Sequence, residues 1–144
     1  MEGPPQITPT GLADYLDVMS KAVFQSGMSW RVVEAKWAGT RDAFYGFDPV
    51  RLIDLTPDEV DQLAADTRLI RNRRKIEATI HNAQTLLDLD QQHKGFKRYL
   101  ESFANYDALS ADLIKRFKFL GKTGTYFFLY MVGEPVPSHA EVMG

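Results

Sequence analysis

Apolar residues recur along this chain every three to four positions and almost nowhere every two. Leu12, Tyr15, Leu16, Met19 and Val23 trace one side of a helix. Ser29 stands where an N-cap belongs, ahead of a second helix that places Trp30, Val33 and Trp37 on one side. The best-signed start is Leu55-Thr56-Pro57-Asp58-Glu59-Val60. Thr56 caps, Pro57 takes the first helical position, Glu59 closes a capping box, and Leu55 and Val60 form a hydrophobic staple. A long fourth helix covers residues 73–89, with Ile76, Ile80, Ala83 and Leu87 as its apolar face. Phe96, Tyr99, Leu100 and Phe103 mark another helix after the Lys94-Gly95 break, and Leu109 and Leu113 a sixth. The single two-residue alternation, at residues 117–120, is too short to build a sheet. The pattern predicts an all-α fold. Residues 1–11 are expected to be a flexible N-terminal segment, 12–133 the helical domain and 134–144 a C-terminal tail.

Composition narrows what such a domain can do. A chain of 144 residues can bury a core of its own without a staple. With no cysteine, an iron–sulfur cluster, a cysteine zinc site and a cysteine nucleophile are excluded. His81, His93 and His139 are far apart, with no metal-ligand spacing between them. No run approaches the ~18 apolar residues of a membrane span, and the polar, proline-bearing start lacks the order of a signal peptide. The expectation is a cytoplasmic monomer with no membrane, metal or cofactor partner, nucleoid-associated if bacterial.

Net charge is −2, which conceals a split. Residues 1–67 hold 5 Lys/Arg against 11 Asp/Glu, and residues 68–144 hold 12 against 8. Two clusters make most of the difference: Arg68, Arg71, Arg73, Arg74 and Lys75, then Lys115, Arg116, Lys118 and Lys122. Such a one-sided basic surface is what phosphate binding needs, whereas the plain reading is two solvated helix ends.

Two short segments could carry recognition. In Phe119-Leu120-Gly121-Lys122-Thr123-Gly124-Thr125, the glycines permit a tight turn with positive φ. A helix starting near Thr123 then points free amides outward, which suits a phosphate, and Lys122 adds charge. A helix–hairpin–helix element grips a DNA strand this way without reading its sequence; the plain alternative is a connection. The segment is not a P-loop, since it lacks the upstream glycine and a preceding strand. In Gln25-Ser26-Gly27-Met28-Ser29-Trp30, Trp30 offers a face on which a base could stack and Met28 an apolar tip that could enter a duplex. Ordinary core packing of both is the competing reading.

Taken together, Gly27-Met28-Ser29-Trp30, Phe44 with Phe47-Asp48-Pro49, Ile70-Arg71-Asn72-Arg73-Arg74-Lys75-Ile76, Ala78, Asn82-Ala83 and Phe117 to Thr123 with Tyr126 run in one order. In these residues the chain resembles the DNA-3-methyladenine glycosylases of type I, a branch of the helix–hairpin–helix glycosylases. The resemblance implies hydrolysis of the N-glycosidic bond of an alkylated purine such as 3-methyladenine in double-stranded DNA, after base flipping, at the start of base-excision repair. It implies base stacking on Trp30, a duplex wedge at Met28, and backbone contacts from Lys118, Gly121, Lys122, Thr123, Gly124 and Thr125. The segment 71–75 matches a basic stretch that serves either phosphate contacts or the fold.

Departures from the family fall on its chemistry. Ala22 occupies the position of the family's pocket glutamate, eight residues before the tryptophan. Asp17 and Asp14 are the nearest carboxylates on the same helix, and Lys21 adjoins the changed position. The family's N-terminal tyrosines and zinc ligands have no counterpart in residues 1–11, and its C-terminal ligands are reduced to His139. The glycine before the hairpin phenylalanine is missing, and the stretch between Phe103 and Leu109 is short. Three readings follow: an active glycosylase, a catalytically impaired module that binds DNA or its lesions, and a helical protein-interaction domain. No catalytic residue is assigned.

Overall fold

A computed structural model describes residues 6–143 of the chain, and every regular element among them is helical. Helix α1 (Leu12–Gln25) buries Tyr15, Leu16, Val18, Met19, Ser20, Val23 and Phe24. That stripe is wider than a surface helix needs, because α1 packs against three helices, α2 (Trp30–Ala43), α5 (Arg73–His93) and α8 (Lys122–Met131), and also against the segment 45–53. A 3-10 turn (Tyr45–Phe47) and α3 (Pro49–Ile53) connect α2 to α4 (Pro57–Ala65). Helices α6 (Phe96–Leu100) and α7 (Tyr106–Arg116) precede α8, and α9 (His139–Met143) ends the described chain.

Two aromatic clusters hold α1 at its two ends. Near its C-terminus, Phe24 meets the edges of Trp37 and Phe44, while Phe47 stacks on Trp37 at 5.4 Å and on Phe44 at 5.2 Å. Near its N-terminus, Tyr15 packs edge-on to Phe96 at 5.0 Å, and Phe96 continues to Tyr99 and Phe117. Residues 15 and 24 are separated by about 14 Å of helix, so α1 ties the two clusters into one core.

Local chemistry explains most boundaries. The capping box of α4 forms as the sequence predicts, with Thr56 accepting from Glu59 N and Glu59 accepting from Thr56 N. Asn72 and Asn105 cap α5 and α7 through one bond each, accepting from Lys75 N and Ala108 N. Helix α5 runs to His93 and stops where Lys94 turns left-handed at φ 58° and Gly95 follows at φ 141°. Its inner face differs slightly from the expected one: Leu86 and Leu89 are buried and Leu87 lies at the margin, as packing against α6 draws the stripe round the helix. The short helix α3 escaped the periodicity, although Asp48 caps it by accepting from Val50 N and Pro49 opens it.

The described part of the N-terminal segment is tied down rather than loose. Ile7 N donates to Met131 O at 2.8 Å and the Gln6 amide to Tyr130 O at 2.8 Å, so the strand of chain entering α1 lies along the end of α8. Residues 1–5 lie outside the described part. In the tail, Glu134 is buried against Lys97, and the Tyr126 hydroxyl donates to Pro137 O.

Candidate nucleic-acid interface

The loop after α1 is built from the end of that helix. Its last carbonyls need partners, and each finds one: Val23 O accepts from Ser26 N, Gln25 O from Met28 N, and Phe24 O from the Lys75 ammonium at 3.1 Å. Lys75 Nζ also donates to Ser26 O at 2.5 Å. Gly27, at φ 72°, supplies the left-handed residue that reverses the chain. Ser29 occupies the N-cap position of α2, though its side chain makes no capping bond. Trp30 is therefore delivered to the surface, 61% exposed, beside Met28 at 41%. Val33 and Trp37 are buried as predicted, and Trp30 parts from them because it lies beyond the end of α1, where no helix covers it. The Arg31 guanidinium lies 5.8 Å from the Trp30 ring centre.

The hairpin between α7 and α8 turns differently from expectation. Gly121 has φ −91°, and the positive φ falls on Phe119 at 59°. A bulky residue there is strained, by roughly 1–2 kcal/mol. Asn82 of α5 holds the preceding residue on both sides: its Oδ1 accepts from Lys118 N at 2.8 Å and its Nδ2 donates to Lys118 O at 3.1 Å. Helix α8 has no side-chain cap, and its first internal bond is Thr125 N to Gly121 O. The amides of Lys122, Thr123 and Gly124 are thus left as donors at the positive end of the helix dipole. Lys118, Gly121, Lys122 and Thr123 are exposed, and a Cβ added at Gly121 would meet nothing within 4 Å. Thr125 must be removed from this surface: it is fully buried, its amide is committed to Gly121, and its hydroxyl lies inside the core.

Ion pairing trims the basic clusters. Arg68 pairs with Asp66, Arg73 with Asp61 and Arg116 with Asp112, while Lys75 is buried. Burial lowers the Lys75 ammonium pKa from its ordinary value. Among the described residues, the exposed cations of the two clusters without a carboxylate partner are Arg71, Arg74, Lys115, Lys118 and Lys122. Arg74 lies 5.8 Å from the Phe119 ring centre, which brings the first cluster to the hairpin. Adjacent residues of α5 therefore touch both loops, Arg74 the hairpin and Lys75 the Trp30 loop.

Position 22 lies at the foot of the hairpin: a Cβ added at Gly124 would stand 3.6 Å from the Ala22 methyl. Neither carboxylate considered as a substitute is available. Asp17 accepts from Trp37 Nε1 at 2.8 Å and Arg41 Nε at 2.6 Å, and Asp14 accepts from Thr10. Lys21 is paired with Glu34. The zinc site that the resemblance brings with it does not fit these residues. The chain has no cysteine, His139 packs on the rings of Tyr126 and Phe127, and no group of three ligating side chains is assembled among the described residues. Two clefts flank α7, of about 290 and 620 Å³; Tyr106 lines both, Lys122 lines the larger, and neither is lined by Trp30 or Ala22.

Against known proteins, residues 13–110 match the methyladenine glycosylase family. The chain belongs to that family. It is 35% identical over 130 residues to DNA-3-methyladenine glycosylase 1 of Escherichia coli (strain K12), an alignment covering 76% of this chain and 70% of that protein. A crystal structure of 3-methyladenine DNA glycosylase I superposes with a TM-score of 0.75 at 30% identity, covering 88% of this chain and 81% of that one. A variant of 3-methyladenine DNA glycosylase I, solved in complex with 3-methyladenine, gives 0.76 at 26% identity over 91% and 80%. This methyladenine glycosylase family member has the all-α fold of those structures.

Proposed function

We propose that this chain is a DNA glycosylase of base-excision repair that releases an alkylated purine, 3-methyladenine being the first candidate, from double-stranded DNA. The carrying observation is the exposed Trp30 ring on a loop pinned to the same helix, α5, that pins an uncapped helix N-terminus. The free amides of Lys122, Thr123 and Gly124, with Lys118, Lys122 and the open Gly121, hold phosphates of one strand. Met28 enters the space left in the duplex, and the flipped base stacks on Trp30.

The chemistry asks little of the protein. A purine alkylated at N3 carries a positive charge, so it leaves as a neutral base with the electron pair of the glycosidic bond. Water adds to the sugar carbon and gives up a proton to solvent. Stacking on Trp30 favours the cationic base before departure through its ring face. With Ala22 in place of a carboxylate and Asp14 and Asp17 engaged elsewhere, no side chain is assigned as general base.

Ala22 also supports a second reading, a module that binds lesions without cutting. Purified protein incubated with methylated duplex separates the two. Free 3-methyladenine above spontaneous depurination, and above that from unmodified duplex, is the expected result. A folded protein that retains DNA but releases no base establishes the second reading. A folded protein that does neither leaves a helical interaction domain.

A further inference from the structure

Helix α5 carries an unusual inner face. Beside the buried Ile76 and Ala83 lie Lys75, Thr79 and Asn82, at 4%, 0% and 1% exposure. Lys75 and Asn82 are seven residues apart, two turns of helix, so they share a face about 10 Å apart along the axis. A helix that had only to fill a core would carry leucine or alanine here, since buried polar groups cost stability unless bonded. Thr79 returns its hydroxyl to Lys75 O, within the helix. Lys75 and Asn82 reach outward, and each reaches loop backbone rather than a side chain: Phe24 O and Ser26 O in one case, the backbone N–H and C=O of Lys118 in the other. These are the two loops that bear Met28 and Trp30 and the phosphate-binding amides.

We propose that Lys75 and Asn82 are positioning residues, the first for the base-probing loop and the second for the strand-gripping hairpin, and that α5 sets the distance between the two. The proposal rests on the glycosylase reading for what the loops do, though not for how they are held. Lys75 needs its charge because it faces only carbonyls, at the negative end of α1. Asn82 needs both halves of its amide because it fixes the residue entering the strained turn at Phe119.

The test uses Lys75→Met and Asn82→Leu, each close in volume to the native residue, with Leu86→Ala as a control that destabilises the core without touching either loop. Amide hydrogen exchange reads the holding directly. Lys75→Met should speed exchange at residues 26–28 alone and Asn82→Leu at residues 118–121 alone, while the control leaves both loops as in the native protein. DNA then reads the consequence. Asn82→Leu should weaken binding of unmodified duplex roughly tenfold and lower its salt dependence, with base release at saturating protein little changed. Lys75→Met should leave that binding intact and slow release at saturation by roughly 10- to 100-fold, as misplaced reacting groups do. Lys75→Arg, which keeps a cation, should recover part of the rate. Exchange that rises throughout the protein, or in neither loop, overturns the proposal, as does a release rate and an affinity that move together in both variants. Should either variant fail to fold, Lys75→Gln and Asn82→Asp carry the same comparison. Selective exchange in a native protein that neither binds nor cuts DNA would leave the positioning roles standing and remove the glycosylase reading.

Discussion

Trp30 and Trp37 show how much a single position can differ from another that periodicity treats as its twin. Seven residues apart on α2, they lie within about 20° of each other around the helix, and the sequence pattern puts them on one face. Trp37 is buried and donates to Asp17, whereas Trp30 overhangs the end of α1. Trp37 has Phe24 of α1 and Phe47 of the 3-10 turn against its ring, and a helical period does not display such tertiary neighbours. Thr125 illustrates the converse error: it follows a glycine in a loop-like motif, yet it sits one residue too far into α8 to face outward. Because nothing in the core leans on the Trp30 ring, Trp30→Ala should change stability by no more than about 0.5 kcal/mol. The same variant should lose the stacking of the flipped base, roughly 1–3 kcal/mol. Affinity for a duplex carrying a stable lesion analogue, compared with unmodified duplex, checks this. An undiminished preference would take the base-stacking role away from Trp30.

Helices that show an apolar period were readable with or without a capping signature at their starts, and α3, which has the signature but no period, was not. Thr56, Pro57 and Glu59 announce α4, and the cap forms as the residue types require. Asp48 and Pro49 announce α3 just as clearly, but five residues are too few for a period to emerge. Glu59 also bonds Arg51 at 2.7 Å, linking α3 to α4, and that guanidinium, with the Thr56 amide, holds its carboxyl below the ordinary range. A carboxylate whose folded pKa is depressed stabilises the fold above its unfolded value, and that contribution is lost as pH falls through the folded value. The link between α3 and α4 should therefore loosen in acid. Melting temperature followed from pH 7 downward should fall less steeply below the ordinary value of 4.5 in Glu59→Gln than in the native protein. Parallel curves would mean that the Arg51 bond survives protonation.

For the molecule as a whole, the charge split between the two halves of the sequence overstates the free positive charge of the second half. Pairing with Asp61, Asp66 and Asp112 neutralises three of the cations, and Lys75 is spent inside the core. What a sequence cannot display is which carboxylate lies opposite which guanidinium. The remaining cations include Lys118 and Lys122 on either side of the hairpin turn. Reversing the sign of one of them, Lys122→Glu, should weaken binding of any duplex about equally and reduce the slope of log affinity against log salt by roughly one or more. Titrations at several salt concentrations read both quantities; an unchanged slope would assign the hairpin a purely structural part. The residues around Ala22 were legible as a departure, and their consequence was not, because only the fold reveals that Asp14 and Asp17 are already engaged.

The loop bearing Met28 and the hairpin before α8 are both fastened to one helix, and under the proposed glycosylase reading this bears on which partner yields. A protein with its two contacts on separate lobes can close around a straight duplex; one with both on a single rigid bar cannot. Under that reading the duplex is expected to bend onto it. Base pairs that no side chain touches then enter the rate through the ease with which they kink, so a lesion beside a pliant pyrimidine–purine step is handled faster than one embedded in a stiff run of adenines.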